Sequence, residues 1–170
     1  MSEPREPASG NPPPTQSTST PPAQNPSVPS RVLVSEIFYD AAGSDTGKEF
    51  IELYNDGNGD VDLKDWALQS NGNSLGKIGS KPEDKTIIRA HAYFLVGLNN
   101  YSGAPPADIV RSASLPNTSA AITLLDASGA TADSVSYSSS VREGESYERE
   151  SWSGSAFHAN PTPSPQNSGN

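Results

Sequence analysis

The sequence predicts an all-β domain, a sandwich or small barrel, over roughly residues 31–157. Three observations predict it. Short runs dense in β-branched and aromatic residues recur along this span, among them RVLVSEIFY, EFIELYN, TIIRA and AYFLVG. Turns rich in glycine, asparagine and aspartate separate them, NDGNGD being the clearest. No stretch sustains an apolar period of about 3.6 residues, so the crossover helices of an open α/β sheet are missing.

The elements follow in order. RVLVSEIFY from Arg31 is the first strand, DAAGSDTGK from Asp40 to Lys48 a polar loop, and EFIELYN the second strand. Asn55 to Asp60 is a tight turn of residues that tolerate positive φ. VDLKDWALQS offers Val61, Leu63, Trp66 and Leu68 to the core; its alternation slips after Leu63, which predicts a turn or bulge at Lys64 and Asp65. Residues 71–85 read as a loop with a short strand near Leu75 to Ile78. TIIRA and AYFLVG are strands joined around Ala90 and His91. Residues 98–110 are irregular, because Pro105-Pro106 cannot donate to a ladder. SAAITLLDASGATADSVSYS reads as a hairpin turning at Asp126 to Gly129. GESYERESWSG is an edge-like segment, and residues 158–170 a Pro/Asn/Ser-rich tail.

Residues 1–30 differ in kind. Pro, Ser, Thr, Gln and Asn dominate, Val28 is the one β-branched aliphatic residue, and there is no aromatic. Such a segment cannot bury enough surface to offset its ordering entropy, so it is expected to be a disordered linker with local polyproline character. Linker-like sequence directly after Met1 leads us to expect a piece of a longer exported or cell-surface polypeptide.

Composition narrows the function classes. Twenty acidic residues against 11 basic give a formal net charge of -9. The cations are scattered singly, which works against nucleic-acid binding. The absence of cysteine excludes disulfides, thiolate zinc sites and cysteine nucleophiles. No apolar run approaches the roughly 18–20 residues of a membrane helix, so no membrane insertion is expected. No serine elbow, phosphate loop or HExxH occurs, and His91 and His158 are too few and too far apart for a histidine metal centre.

The segment VLVSEIFYDAAGSDTGKEFIELYNDGNGDVDLKDWALQ resembles the opening of the lamin tail domain in its prokaryotic form. The resemblance rests on Glu36 to Tyr39, Glu49 to Asn55, Val61 to Leu63 and Trp66. The hairpin LLDASGATADSVSY and the closing pattern with Gly144, Ser146, Arg149, Trp152 and Pro161 to Pro163 look like that family too. It implies an immunoglobulin-like β-sandwich. It also implies a non-catalytic interaction or adhesion module, in bacteria often beside nucleases or other hydrolases in exported proteins. No coiled-coil rod, CaaX box or nuclear-localisation run supports a filament role.

The candidate site residues are acidic. Asp40, Asp45 and Glu49 flank the first loop with Gly43 and Gly47 between them, and flexible oxygen-rich loops are what Ca²⁺ requires. Asp56, Asn58 and Asp60 would add ligands only if the second loop lay at the same end of the sandwich. Lys48 competes with a metal for the same carboxylates. The expectation is therefore a weak calcium site or none, since Asx-rich turns need no ion. Glu36 and Glu52 sit inside strands as a formal carboxylate pair of hydrolase type. The simpler reading has one facing solvent, or bonded to Arg89, Arg149 or loop backbone. Trp66 and Trp152 are expected in the core, and Tyr54, Tyr93, Tyr101 and Tyr147 as candidates for a surface binding patch. The expected function is a non-catalytic interaction module with an unidentified protein or surface partner. The alternatives are a calcium-stabilised structural domain and an accessory targeting domain of a hydrolase.

Overall fold

The computed structural model describes Met1, residues 31–139 and residues 141–169. The linker expected at residues 2–30 lies outside the described residues. There are twelve strands and no helix among them. They are β1 (Val32–Phe38), β2 (Phe50–Asn55), β3 (Val61–Asp62), β4 (Ala67–Ser70), β5 (Asn73–Lys77) and β6 (Ile87–Ile88). There follow β7 (Tyr93–Gly97), β8 (Ile109–Val110), β9 (Ser119–Leu125), β10 (Thr131–Ser138), β11 (Ser146–Arg149) and β12 (Phe157–Asn160). A six-stranded sheet in the order β12-β11-β1-β2-β7-β8 packs on a four-stranded sheet in the order β10-β9-β4-β5, with β3 and β6 as a separate pair. This is the expected all-β, immunoglobulin-like sandwich.

Alternation decides which side chains go between the sheets. Val32, Val34 and Ile37 of β1, Ile51 and Leu53 of β2, and Phe94 and Val96 of β7 meet Leu68, Ile122, Leu124 and Val135 of the facing sheet. Trp66 is half-buried against this core rather than enclosed by it. The slip expected after Leu63 is a turn: Trp66 N–H donates to Leu63 O and Asp65 takes a φ of 65°. The hairpin turn is also as expected, with Asp126 Oδ1 accepting from the N–H groups of Ser128 and Ala130.

The first strand carries a bulge between Val34 and Glu36. At this point β11 no longer pairs with it, and side chains take over the ladder. Val34 N–H donates to Asp133 Oδ2 (2.9 Å), and Val34 O accepts from Arg149 Nε (2.8 Å). Arg149 closes the circuit onto Asp133 at 2.5 Å and donates again to Gly154 O.

Two expectations are corrected at the C-terminal end. The segment around Ser146 to Arg149 is not an edge, because β12 pairs outside it. The fold does not stop at residue 157 either: Phe157 opens β12, and residues 161–169 continue across the six-stranded sheet. The sequence of β12, FHAN, is too short and polar to announce a strand; pairing with β11 and the stack of Phe157 on Tyr147 (5.0 Å) form it.

Candidate functional site

The outer face of the six-stranded sheet has an apolar patch at one end and aromatic rings at the other. Phe50, Leu95 and Tyr101 form the first, with the loop after β7 folded over it. Gly97 permits this fold-over, since a Cβ there would lie 2.5 Å from Tyr101 Cβ. At the other end Trp152 stacks on Tyr54 at 3.9 Å, with Tyr93 edge-on at 6.3 Å. Trp152 is thus half-buried on the outer face, not in the inter-sheet core. Tyr54 and Tyr101 are buried, so neither is a surface aromatic.

Between these ends runs a row of carboxylates. Glu36 of β1 lies directly opposite Glu52 of β2 and Glu148 of β11. Glu52 pairs with Leu95 of β7, whose N–H donates to Asp108, the residue before β8. Alternation places these side chains outward, yet Glu36 is 1 % exposed and Glu52 2 %. What covers them is residues 161–169, running perpendicular to the strands.

The covering segment spends its main-chain donors on the row. Ser164 N–H donates to Glu36 Oε1 (3.0 Å), Gln166 N–H to Glu52 Oε2 (2.6 Å) and Ser168 N–H to Asp108 Oδ2 (2.8 Å). The spacings match. From β1 to β8 is three strand steps of about 4.8 Å, or about 14 Å, and four residues of extended chain span about 13 Å. Pro163 and Pro165 fill the alternate positions, where they fix φ and remove donors that would have no partner there. Side chains complete the network: Ser146 Oγ donates to Glu36 (2.5 Å), Ser35 Oγ to Glu52 (2.6 Å) and Ser168 Oγ to Asp108 (2.6 Å). Lys85 Nζ lies 3.0 Å from Asp108 Oδ1, among the described residues the one cation bonded to the three.

Burial under this cover pushes the carboxyl of Glu52 up to about 8, against the pull of its Ser35 and Gln166 hydrogen bonds, with the charges of Glu36 and Glu148 adding to the rise. Glu36 is raised for the same first reason. Neither carboxylate faces solvent, and neither bonds to Arg89 or Arg149; both bond to hydroxyls and to backbone N–H groups. So placed, they have no open substrate side on which to act as an acid–base pair.

The first-loop carboxylates are placed differently. Asn117 Nδ2 bridges Asp40 Oδ1 (3.0 Å) and Asp45 Oδ2 (2.8 Å), putting donors where a cation would sit. Lys48 turns to Ala42 O. Glu49 is buried and spends its oxygens on Leu115 N–H (2.8 Å) and Asn99 Nδ2 (3.2 Å). Asp40 and Asp45 are brought together; Glu49 shares no hydrogen-bond partner with either. Among the described residues no group of three or more His, Cys, Asp or Glu is arranged to hold a metal ion. The second loop leaves the far end of β2, because Val32 pairs with Asn55 and Phe38 with Phe50, so Asp56, Asn58 and Asp60 are remote.

Sequence reasoning singled out Glu36 and Glu52 but missed Asp108, Ser35, Ser146 and the segment that binds them. A usable signal was the Pro-x-Pro-x run at 163–166, which leaves only alternate donors free.

Comparison with known proteins adds the family. No curated protein gives a significant match to the chain. The family model described as Lamin Tail Domain matches residues 25–139, which takes in β1 to β10 and stops before β11, β12 and the covering segment. With the sandwich architecture and that match over more than half its length, the chain belongs to the lamin tail domain family, β-sandwich modules often involved in protein interaction.

Proposed function

We propose that this domain is a non-catalytic interaction module of a larger exported or cell-surface protein, joined to it by the Pro/Ser/Thr-rich segment. The observation that carries the reading is the use made of the outer sheet face. Its buried carboxylates hold an extended polypeptide by main-chain N–H groups. Holding polypeptide is binding chemistry, and the same contacts engage Glu36, Glu52 and Asp108 with main-chain donors in place of a substrate. Net charge -9 and dispersed cations favour a protein or surface partner over a nucleic acid.

The test is retention of the fluorescently labelled chain on the surface of cells from its own source. Saturable retention is expected, lost in an unfolded core variant such as Phe94→Ala under conditions where that variant has melted. Absence of saturation at tens of micromolar would overturn the reading, as would turnover of ester, phosphodiester or glycoside substrates by the purified chain.

A further inference from the structure

We propose that the row Glu36–Glu52–Asp108 is a binding track for extended, proline-alternating peptide, that residues 161–169 occupy it as a displaceable strap, and that its occupant in trans is the same segment of a second copy of this chain. The proposal deepens the interaction reading above and rests on it.

The track has readable specificity. It requires donors at alternate residues, i, i+2 and i+4, met here by Ser164, Gln166 and Ser168. It offers nothing to the N–H groups of the two residues that precede i and i+2, where proline is free to stand. At i+4 it adds a second contact, from a hydroxyl to Asp108 Oδ1 (2.6 Å), and the amide of Asn167 reaches Pro106 O (2.9 Å). Three clustered carboxylates exclude an acidic side chain at i, where Ser164 Oγ lies 3.3 Å from Glu36 Oε2.

The strap is attached by these polar contacts and not by core burial. Pro161, Thr162, Ser164, Gln166 and Gly169 are exposed, and Pro163, Pro165, Asn167 and Ser168 half-buried; none joins either apolar cluster. A segment with few buried apolar contacts opens at low free-energy cost without unfolding what lies beneath. The sheet below is closed by its own ladders from β12 to β8. Because the strap follows directly on β12, its effective concentration at the track is on the order of millimolar. The cis segment therefore wins in dilute solution, and a second copy enters only when the cis segment is removed or chains are crowded together.

The experiment uses two strap-free forms of the chain: one ending at Asn160, and a full-length form carrying Ser164→Pro and Gln166→Pro, which loses two of the three main-chain donors. The probe is a fluorophore-labelled peptide of residues 159–169, followed by anisotropy at pH 7. We expect one saturable site on either strap-free form and at least tenfold weaker binding to the native chain. A peptide carrying the same two proline substitutions should bind at least tenfold more weakly than the native peptide. Failure of folded strap-free chains to saturate at millimolar peptide would overturn the proposal. So would equal binding by the native chain or by the proline-substituted peptide. Loss of cooperative unfolding in both strap-free forms would also overturn it, by making the segment integral to the fold. Surface retention retained alongside absent peptide binding would sink this inference alone; the reverse would sink the broader reading alone.

Discussion

Replacing Glu52 with glutamine isolates the cost of burying its charge. Glutamine keeps the shape, its carbonyl still accepts from Gln166 N–H, and its amide donates to Ser35 Oγ in place of accepting from it. The carboxyl of Glu52 is raised to about 8 in the folded chain from an ordinary 4.5, so the folded state retains a proton that the unfolded chain has released between those values. The sign follows: the stabilisation is complete below about pH 4.5 and is lost as pH rises through about 8. At about 1.4 kcal/mol per unit, the full window amounts to about 5 kcal/mol. Partial release of the strap lets water reach the charge and trims this to about 2–5 kcal/mol, or roughly 10 °C in Tm for a domain of this size. The assay is urea unfolding of both chains from pH 4 to 9.5, compared as a difference so that other groups cancel. The Glu52→Gln chain should match the native chain near pH 4.5 and exceed it progressively toward pH 9. Parallel stability curves would refute the burial of an ionisable carboxyl under the strap.

Arg149→Ala should destabilise by about 3–5 kcal/mol in chemical denaturation, since it strands Asp133 and the Val34 carbonyl at the β1 bulge. Phe94→Ala should cost about 3–5 kcal/mol, because the ring is fully enclosed between the sheets. Trp66→Ala should cost less than Phe94→Ala by the same measurement, its ring being only half-buried. Millimolar calcium against excess chelator should leave the melting curve unchanged, because Asn117 donates to both Asp40 and Asp45 while Glu49 is engaged by Leu115 and Asn99.

Much of the sandwich was legible because β1, β2, β7, β9 and β10 carry their own alternation and their turns carry Gly, Asn and Asp where positive φ is needed. The strands that escaped are those whose existence is owed to a neighbour. β8 is two residues held parallel to β7, and β12 is polar sequence recruited by β11. The carboxylate row was half-legible. Glu36 and Glu52 stand out as acids within apolar strands, but the main-chain groups that cover them lie more than a hundred residues away. Main-chain donors leave no mark in a sequence except where prolines have deleted their neighbours.

The direction of the covering segment also sets how the domain yields under load. A pull applied through residue 169 meets the donors one at a time, Ser168 before Gln166 before Ser164, and so peels the segment in steps. The first strand is clamped on both sides by β11 and β2, and a pull along it must shear both ladders at once. One end therefore gives way gradually and the other holds until the sheet fails. Tension applied between Val32 and Gly169 would uncover the acidic row long before it threatened the sandwich.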